Sequence, residues 1–90
     1  MINKKFREQI ANELEDSIIL DNPSFDDSII GFTDNGNLVY DYNRMVVEFS
    51  EENGVTDFEA IEFIDYNTIR AIPYMGEQKP IIIYRFEDIE

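Results

Sequence analysis

Cysteine and histidine are both absent from this chain. Their absence excludes disulfides, thiolate chemistry, ordinary zinc ligation and the side chain most used as a general acid or base near neutral pH. Positive charge is scarce too: Lys4, Lys5 and Arg7 lie in the first seven residues, and only Arg44, Arg70, Lys79 and Arg85 follow. No apolar run approaches the roughly 18 residues that a membrane-spanning helix needs. After Met1-Ile2-Asn3-Lys4-Lys5 the chain continues Phe6-Arg7-Glu8-Gln9 rather than into an apolar segment, so no secretory signal is expected. There is no internal repeat, linker or low-complexity stretch. These absences point to a soluble, cytoplasmic protein without membrane association.

What remains is short, apolar enough to fold, and acidic. Ninety residues support one core and hence one domain over residues 1–90. A hydrophobic fraction of 43 %, with 13 % aromatics, separates the chain from acidic disordered tails. The formal net charge is −13. Such a surface repels nucleic acid and membrane phosphates and attracts basic surfaces at salt-dependent rates. The expected partner is a basic protein, not nucleic acid itself, although Lys4, Lys5 and Arg7 could make a second contact.

Ile2, Phe6, Ile10 and Leu14 recur every four residues, which predicts a helix from about Asn3 to Glu15. Ser17-Ile18-Ile19-Leu20, closed by Asp21-Asn22-Pro23, reads as a first strand. Residues 28–33 and 37–40 flank Asp34-Asn35-Gly36, where the Asn-Gly pair predicts a tight hairpin. Asp41 is placed to cap a helix with Tyr42, Met45, Val46 and Phe49 along its buried stripe, and Gly54 to stop it. Thr56-Asp57-Phe58-Glu59 is a capping box that starts another helix, with a predicted apolar stripe of Phe58, Ile61, Ile64 and Thr68 or Ile69. Pro73 ends it at or before Ile72, and Asn67-Thr68 is a point where it could split in two. The run Ile81-Ile82-Ile83-Tyr84-Arg85-Phe86 reads as a strand buried on both faces and therefore central. The expected architecture is α+β, two-layered, with a mainly antiparallel sheet of about four strands and the order α-β-β-β-α-α-β.

Carboxylates dominate the candidate site. Glu48, Glu51 and Glu52 share one face of the first middle helix, and Glu62 and Asp65 share a face of the next, which also carries Asp57 and Glu59. Like charges at these spacings weaken a helix slightly, which suggests that a partner uses them, for instance by taking them for the phosphates of nucleic acid. The plainer alternative is a solvated face, with Asp57 and Glu59 also favoured by the helix dipole. Tyr66 and Tyr74 are candidate aromatic anchors, the latter on the loop Pro73-Tyr74-Met75-Gly76. Most of the five tyrosines are expected to be half-buried in the core, and Arg70 is expected to pair with a neighbouring acid. Asp34-Asn35-Gly36-Asn37 does not match the spacing of a calcium-binding loop, so no metal is expected. The serines have no histidine to activate them and no glycine-rich phosphate loop precedes a helix. Neither a catalytic residue nor a cofactor is expected.

Gly31-Phe32-Thr33-Asp34 through Tyr40-Asp41-Tyr42, with the stretch from Glu59 through Asn67-Thr68-Ile69-Arg70 to Pro73-Tyr74, resembles small acidic proteins of phages and mobile elements of Gram-positive bacteria. The likeness runs from near Ser28 to Tyr84 and implies context rather than site residues. In size, acidity and want of catalytic groups, though without a shared motif, the chain is also similar to anti-CRISPR proteins. Many of those block a CRISPR nuclease or its surveillance complex, some by imitating DNA. The function these likenesses imply is an acidic inhibitor that occupies a host nucleic-acid-handling protein such as a CRISPR effector, in the host cytoplasm. The alternative is a structural or adaptor module, one that could be dimeric, whose acidity serves solubility.

Overall fold

The computed structural model describes residues 4–86. Helix α1 covers Lys4–Glu13 and turns Ile10 into the core, with Phe6 and Leu14 beside it. Ile2, the remaining member of the predicted stripe, lies outside the described residues.

Ser17–Leu20 is not a strand. Ser17 N–H bonds the Leu14 carbonyl, and the backbone groups of Leu20 are met by side chains instead of a ladder: the Leu20 N–H donates to the Tyr40 hydroxyl at 2.9 Å, and the Leu20 carbonyl accepts from Arg7 Nη2 at 2.8 Å. A 3-10 helix over Pro23–Ser28, capped by the Asn22 side chain, follows and buries Phe25 and Asp26. Asp26 receives both Arg7 Nε (2.6 Å) and Arg7 Nη2 (2.8 Å), which fastens α1 to this turn. One of the three N-terminal bases is therefore used inside the molecule.

The hairpin forms as predicted, with β1 at Ile29–Phe32 and β2 at Leu38–Asp41 paired antiparallel. Its turn differs from a two-residue Asn-Gly loop. Among the described residues only glycines take positive φ, so Asn35 does not, and Gly36 alone (φ +86°) supplies the left-handed residue. Gly36 N–H bonds the Thr33 carbonyl and Thr33 N–H bonds the Asn37 carbonyl, a longer loop of the bulged kind.

Helix α2, Tyr42–Asn53, starts at Asp41, whose Oδ1 accepts from the Asn43 and Arg44 N–H groups, and ends at Gly54 with φ +64°. Met45, Val46 and Phe49 are buried as their spacing predicts. Helix α3, Asp57–Asn67, begins with the complete capping box of Thr56 and Glu59. It gives way at Thr68 to a 3-10 helix over Ile69–Tyr74, the split foreseen at Asn67-Thr68. Tyr42 at the start of α2 donates to Asp65 near the end of α3 at 2.7 Å, so the two helices run antiparallel.

Strand β3 is only Ile81–Ile83, and it lies at the sheet edge, not the centre. The order is β1-β2-β3, with β3 parallel to β2 in the register Val39↔Ile81, Tyr40↔Ile82 and Asp41↔Ile83. The intervening helices are the long crossover that a parallel pair requires. The structure is thus α+β with a mixed three-stranded sheet, and the predicted four strands reduce to three because Ser17–Leu20 never joins. Around β2, Phe25, Leu38, Tyr40, Met45 and Ile64 form the densest part of the core.

Candidate functional site

The outer faces of α2 and α3 carry most of the predicted site residues. On α2, a rotation of 100° per residue puts Glu51 opposite the buried stripe, Glu48 on its flank, and Glu52 about 20° from Met45. Glu51 and Glu52 are exposed, while Glu48 accepts a 2.8 Å bond from Arg44 Nε one turn earlier. The Arg44 end of this i,i+4 pair is exposed, so the pair adds little to stability.

Helix α3 departs from its predicted orientation. Ala60 and Ile64 face inward, both fully buried, and Phe63 stacks on Phe49 with ring centroids 4.6 Å apart. Phe49 in turn stacks on Phe25 at 6.0 Å, so one chain of aromatic rings ties α3 through α2 to the 3-10 turn. Phe58 and Ile61, assigned from the sequence to the buried stripe, point outward, and Phe58 is 68 % exposed. The reason lies in the pattern itself: residues 58, 60, 61, 63, 64 and 66 are all apolar or aromatic, so more than one face could be buried. The small side chain of Ala60 lets α3 approach the core, and the Phe49 ring selects Phe63.

The result is a mixed outer face. Around the helix it reads Ile61, Asp65, Phe58, Glu62, Tyr66, with carboxylates set between apolar groups. Tyr66 is 67 % exposed, and Arg70 lies over its ring at 4.8 Å instead of pairing with an acid as expected. Phe58, Ile61, Tyr66 and Arg70 border one broad, open depression with Glu62 and Asp65 at its margin. Asp57 and Glu59 sit in the first turn, where Glu59 Oε1 is committed to the Thr56 N–H at 2.9 Å.

Asp65 is committed as well, to the Tyr42 hydroxyl. Burial, together with that bond, raises the Tyr42 phenol well above its ordinary value. The Tyr42 ring also meets Tyr84 at 4.6 Å, just beyond β3. Tyr74, 89 % exposed, belongs to the later 3-10 helix, and it does not line the depression that Tyr66 borders. Three of the five tyrosines, Tyr66, Tyr74 and Tyr84, are exposed, and only Tyr40 is fully buried, against the expectation of a half-buried majority.

Two arrangements escaped the sequence reading. Asp41 serves the α2 N-terminus with Oδ1 and holds Arg85 Nη2 with Oδ2 at 2.6 Å, which anchors the segment after β3. Buried Asn37 donates from Nδ2 to the carbonyls of Glu77 and Lys79, both at 2.9 Å. Neither has a local signature, since each partner is more than 35 residues away along the chain. Among the described residues no three acids are placed to hold a metal ion together, and no helix is long and apolar enough to cross a membrane. Compared with protein families, with curated proteins and with solved structures, the chain matches none of them.

Proposed function

We propose that this protein is a small non-catalytic inhibitor that binds another protein, and that α3 is the helix it presents. One observation supports this reading above the rest: α3 keeps Phe58, Ile61 and Tyr66 outside its own core and sets Glu62 and Asp65 among them. Apolar anchors at i, i+3 and i+8 on a helix are what a partner's groove receives, and flanking carboxylates choose a basic groove over an acidic one. A host nucleic-acid-handling protein, such as a CRISPR effector, has a basic groove of that kind. Aromatic side chains at the centre of a contact contribute most of its affinity.

Imitation of DNA by carboxylates alone is the second reading, supported by the exposed Glu51 and Glu52 and the net charge of −13. It draws on fewer acids than the sequence suggested, because Glu48, Glu59 and Asp65 are engaged within the molecule. The adaptor alternative relies on the same apolar anchors without the carboxylates.

Affinity capture from the lysate of a CRISPR-bearing bacterium, at low and high salt, separates the three. Wild type is compared with a Phe58→Ser/Tyr66→Ser variant and a Glu51→Lys/Glu52→Lys variant. A basic partner lost only with the first variant, and weakened by salt, supports presentation of α3. Loss only with the second variant, with displacement by DNA, supports mimicry. Capture indifferent to salt but lost with the first variant supports the adaptor.

A further inference from the structure

A second surface, unrelated to α3, lies at the other end of the sheet. Strand β1 pairs with β2 along one edge only, and among the described residues no strand pairs with its other edge. Natural edge strands are usually guarded by charge or proline, because their free N–H and C=O groups template further pairing. Ile29-Ile30-Gly31-Phe32 has neither. Its protection is limited to its four-residue length, a register shift between Ile29 and Gly31, and the Ile29 N–H held by the Asp26 carbonyl, which leaves the Ile30–Phe32 end as the open part. Ile30 and Phe32, neighbours on this strand, are 57 % and 62 % exposed. Beside them runs a groove of about 260 Å³ lined by Phe6 and Ile10 of α1, by Leu14 just after it, by Ile30 and Phe32, and by Leu38 of β2. The one charged residue along it is Glu13, and Asp34 stands exposed just beyond the end of β1.

We infer that β1 and the α1 groove form a docking site for an extended, lysine- or arginine-bearing segment of a partner protein, which adds to the sheet as a strand beside β1. Strand addition draws affinity from main-chain hydrogen bonds and specificity from pockets that take alternate side chains. This site offers both: the free edge supplies the backbone groups, and the groove takes every second side chain of the incoming segment, apolar ones. Charge selects the occupant. Glu13 and Asp34 favour basic residues on the segment. A second copy of this chain would bring another −13 and, through four residues of strand, far less area than the roughly 1,600 Å² of a standard stable interface.

The test is titration of the full-length, 15N-labelled protein with the blocked octapeptide KVTIKVTK, followed by amide chemical shifts. Shifts centred on Ile29–Phe32 with Phe6 and Ile10, and an affinity at least about tenfold higher than that of the glutamate counterpart EVTIEVTE, are expected from edge pairing under charge selection. Methylating alternate backbone nitrogens of the peptide should abolish binding in one of the two registers. An Ile30→Lys/Phe32→Lys variant should keep its fold, since both side chains are exposed, and lose the peptide. Should that variant fail to fold, the methylated peptides carry the test unaided. Shifts elsewhere, equal binding of both peptides, or indifference to methylation would overturn the inference. A dimer in sedimentation that the two lysines dissolve, without peptide binding, would overturn it in favour of a second copy.

Discussion

Helices α2 and α3 are neighbours of nearly equal length, each fixed by a well-formed cap and each burying one stripe against the same core. Their outer faces have little else in common. That of α2 carries Arg44, Glu51 and Glu52, with Glu48 half-buried beside Arg44 and Val47 as its single exposed apolar side chain. That of α3 carries Phe58, Ile61 and Tyr66 among its acids. Both faces are acidic, and charge alone does not distinguish them. The difference shows that a count of carboxylates does not separate two surfaces that the apolar residues left unburied do separate, which is the ground on which α3 is proposed as the contact.

If the two inner faces are equivalent, truncating either should cost the most. Met45→Ala and Ile64→Ala each remove a fully buried side chain and should each lower the unfolding free energy by about 3 kcal/mol in urea denaturation. An Ile64→Ala cost below about 1 kcal/mol would mean that α3 is only loosely docked.

A somewhat smaller effect concerns the tyrosines under and between the helices. Burial pushes the Tyr40 phenol from 10.0 up to about 12, and Tyr42 also moves upward. Because the folded value is the higher one, the stabilisation is complete below pH 10 and is lost as the pH rises toward 12. For Tyr40 this amounts to about 2–3 kcal/mol, read from urea midpoints across that range together with phenolate absorbance. Tyr40→Phe should leave only the part of the pH dependence due to the other shifted phenols.

Next in size is the start of α3. Thr56→Ala removes the hydroxyl that accepts the Glu59 N–H and should cost about 1 kcal/mol, without affecting α2. The outer faces should matter least for stability: Phe58→Ser, and Glu51→Gln with Glu52→Gln, should each change it by less than about 0.5 kcal/mol. A larger loss from Phe58→Ser would show that the residue is structural after all, and the asymmetry between the helices would disappear.

Much of this was legible in the chain because the signals were local. The Asp41 cap, the Gly54 stop, the Thr56-Glu59 box and the hairpin around Gly36 all act within four or five residues. The α2 stripe was legible because every other position except Val47 is polar. The α3 stripe was not, since apolar residues surround the helix and the choice between faces rests with Phe49 on another element. The same reason explains Ser17–Leu20, whose apolar run resembles a strand until Tyr40 and Arg7 take the backbone groups of Leu20. Isoleucine enrichment at 81–83 marked a strand correctly but not its place, which depends on a crossover no local pattern encodes. Of the candidate site, the acids could be named from the sequence, but the bonds of Glu48, Glu59 and Asp65 to internal partners could not, because those depend on the folded positions of Arg44, Thr56 and Tyr42.

The Asn37 amide gives the molecule an order of events. The hairpin and helices close short loops, while the Glu77 and Lys79 carbonyls just before β3 must meet the Asn37 amide across 40 and 42 residues of chain, where closure entropy is greater. The segment leading into β3 is therefore expected to dock late in folding and to detach early. Asn37→Ala should speed unfolding in stopped-flow chevrons while leaving the refolding limb nearly unchanged, and a slowed refolding limb would instead place this clasp in the nucleus.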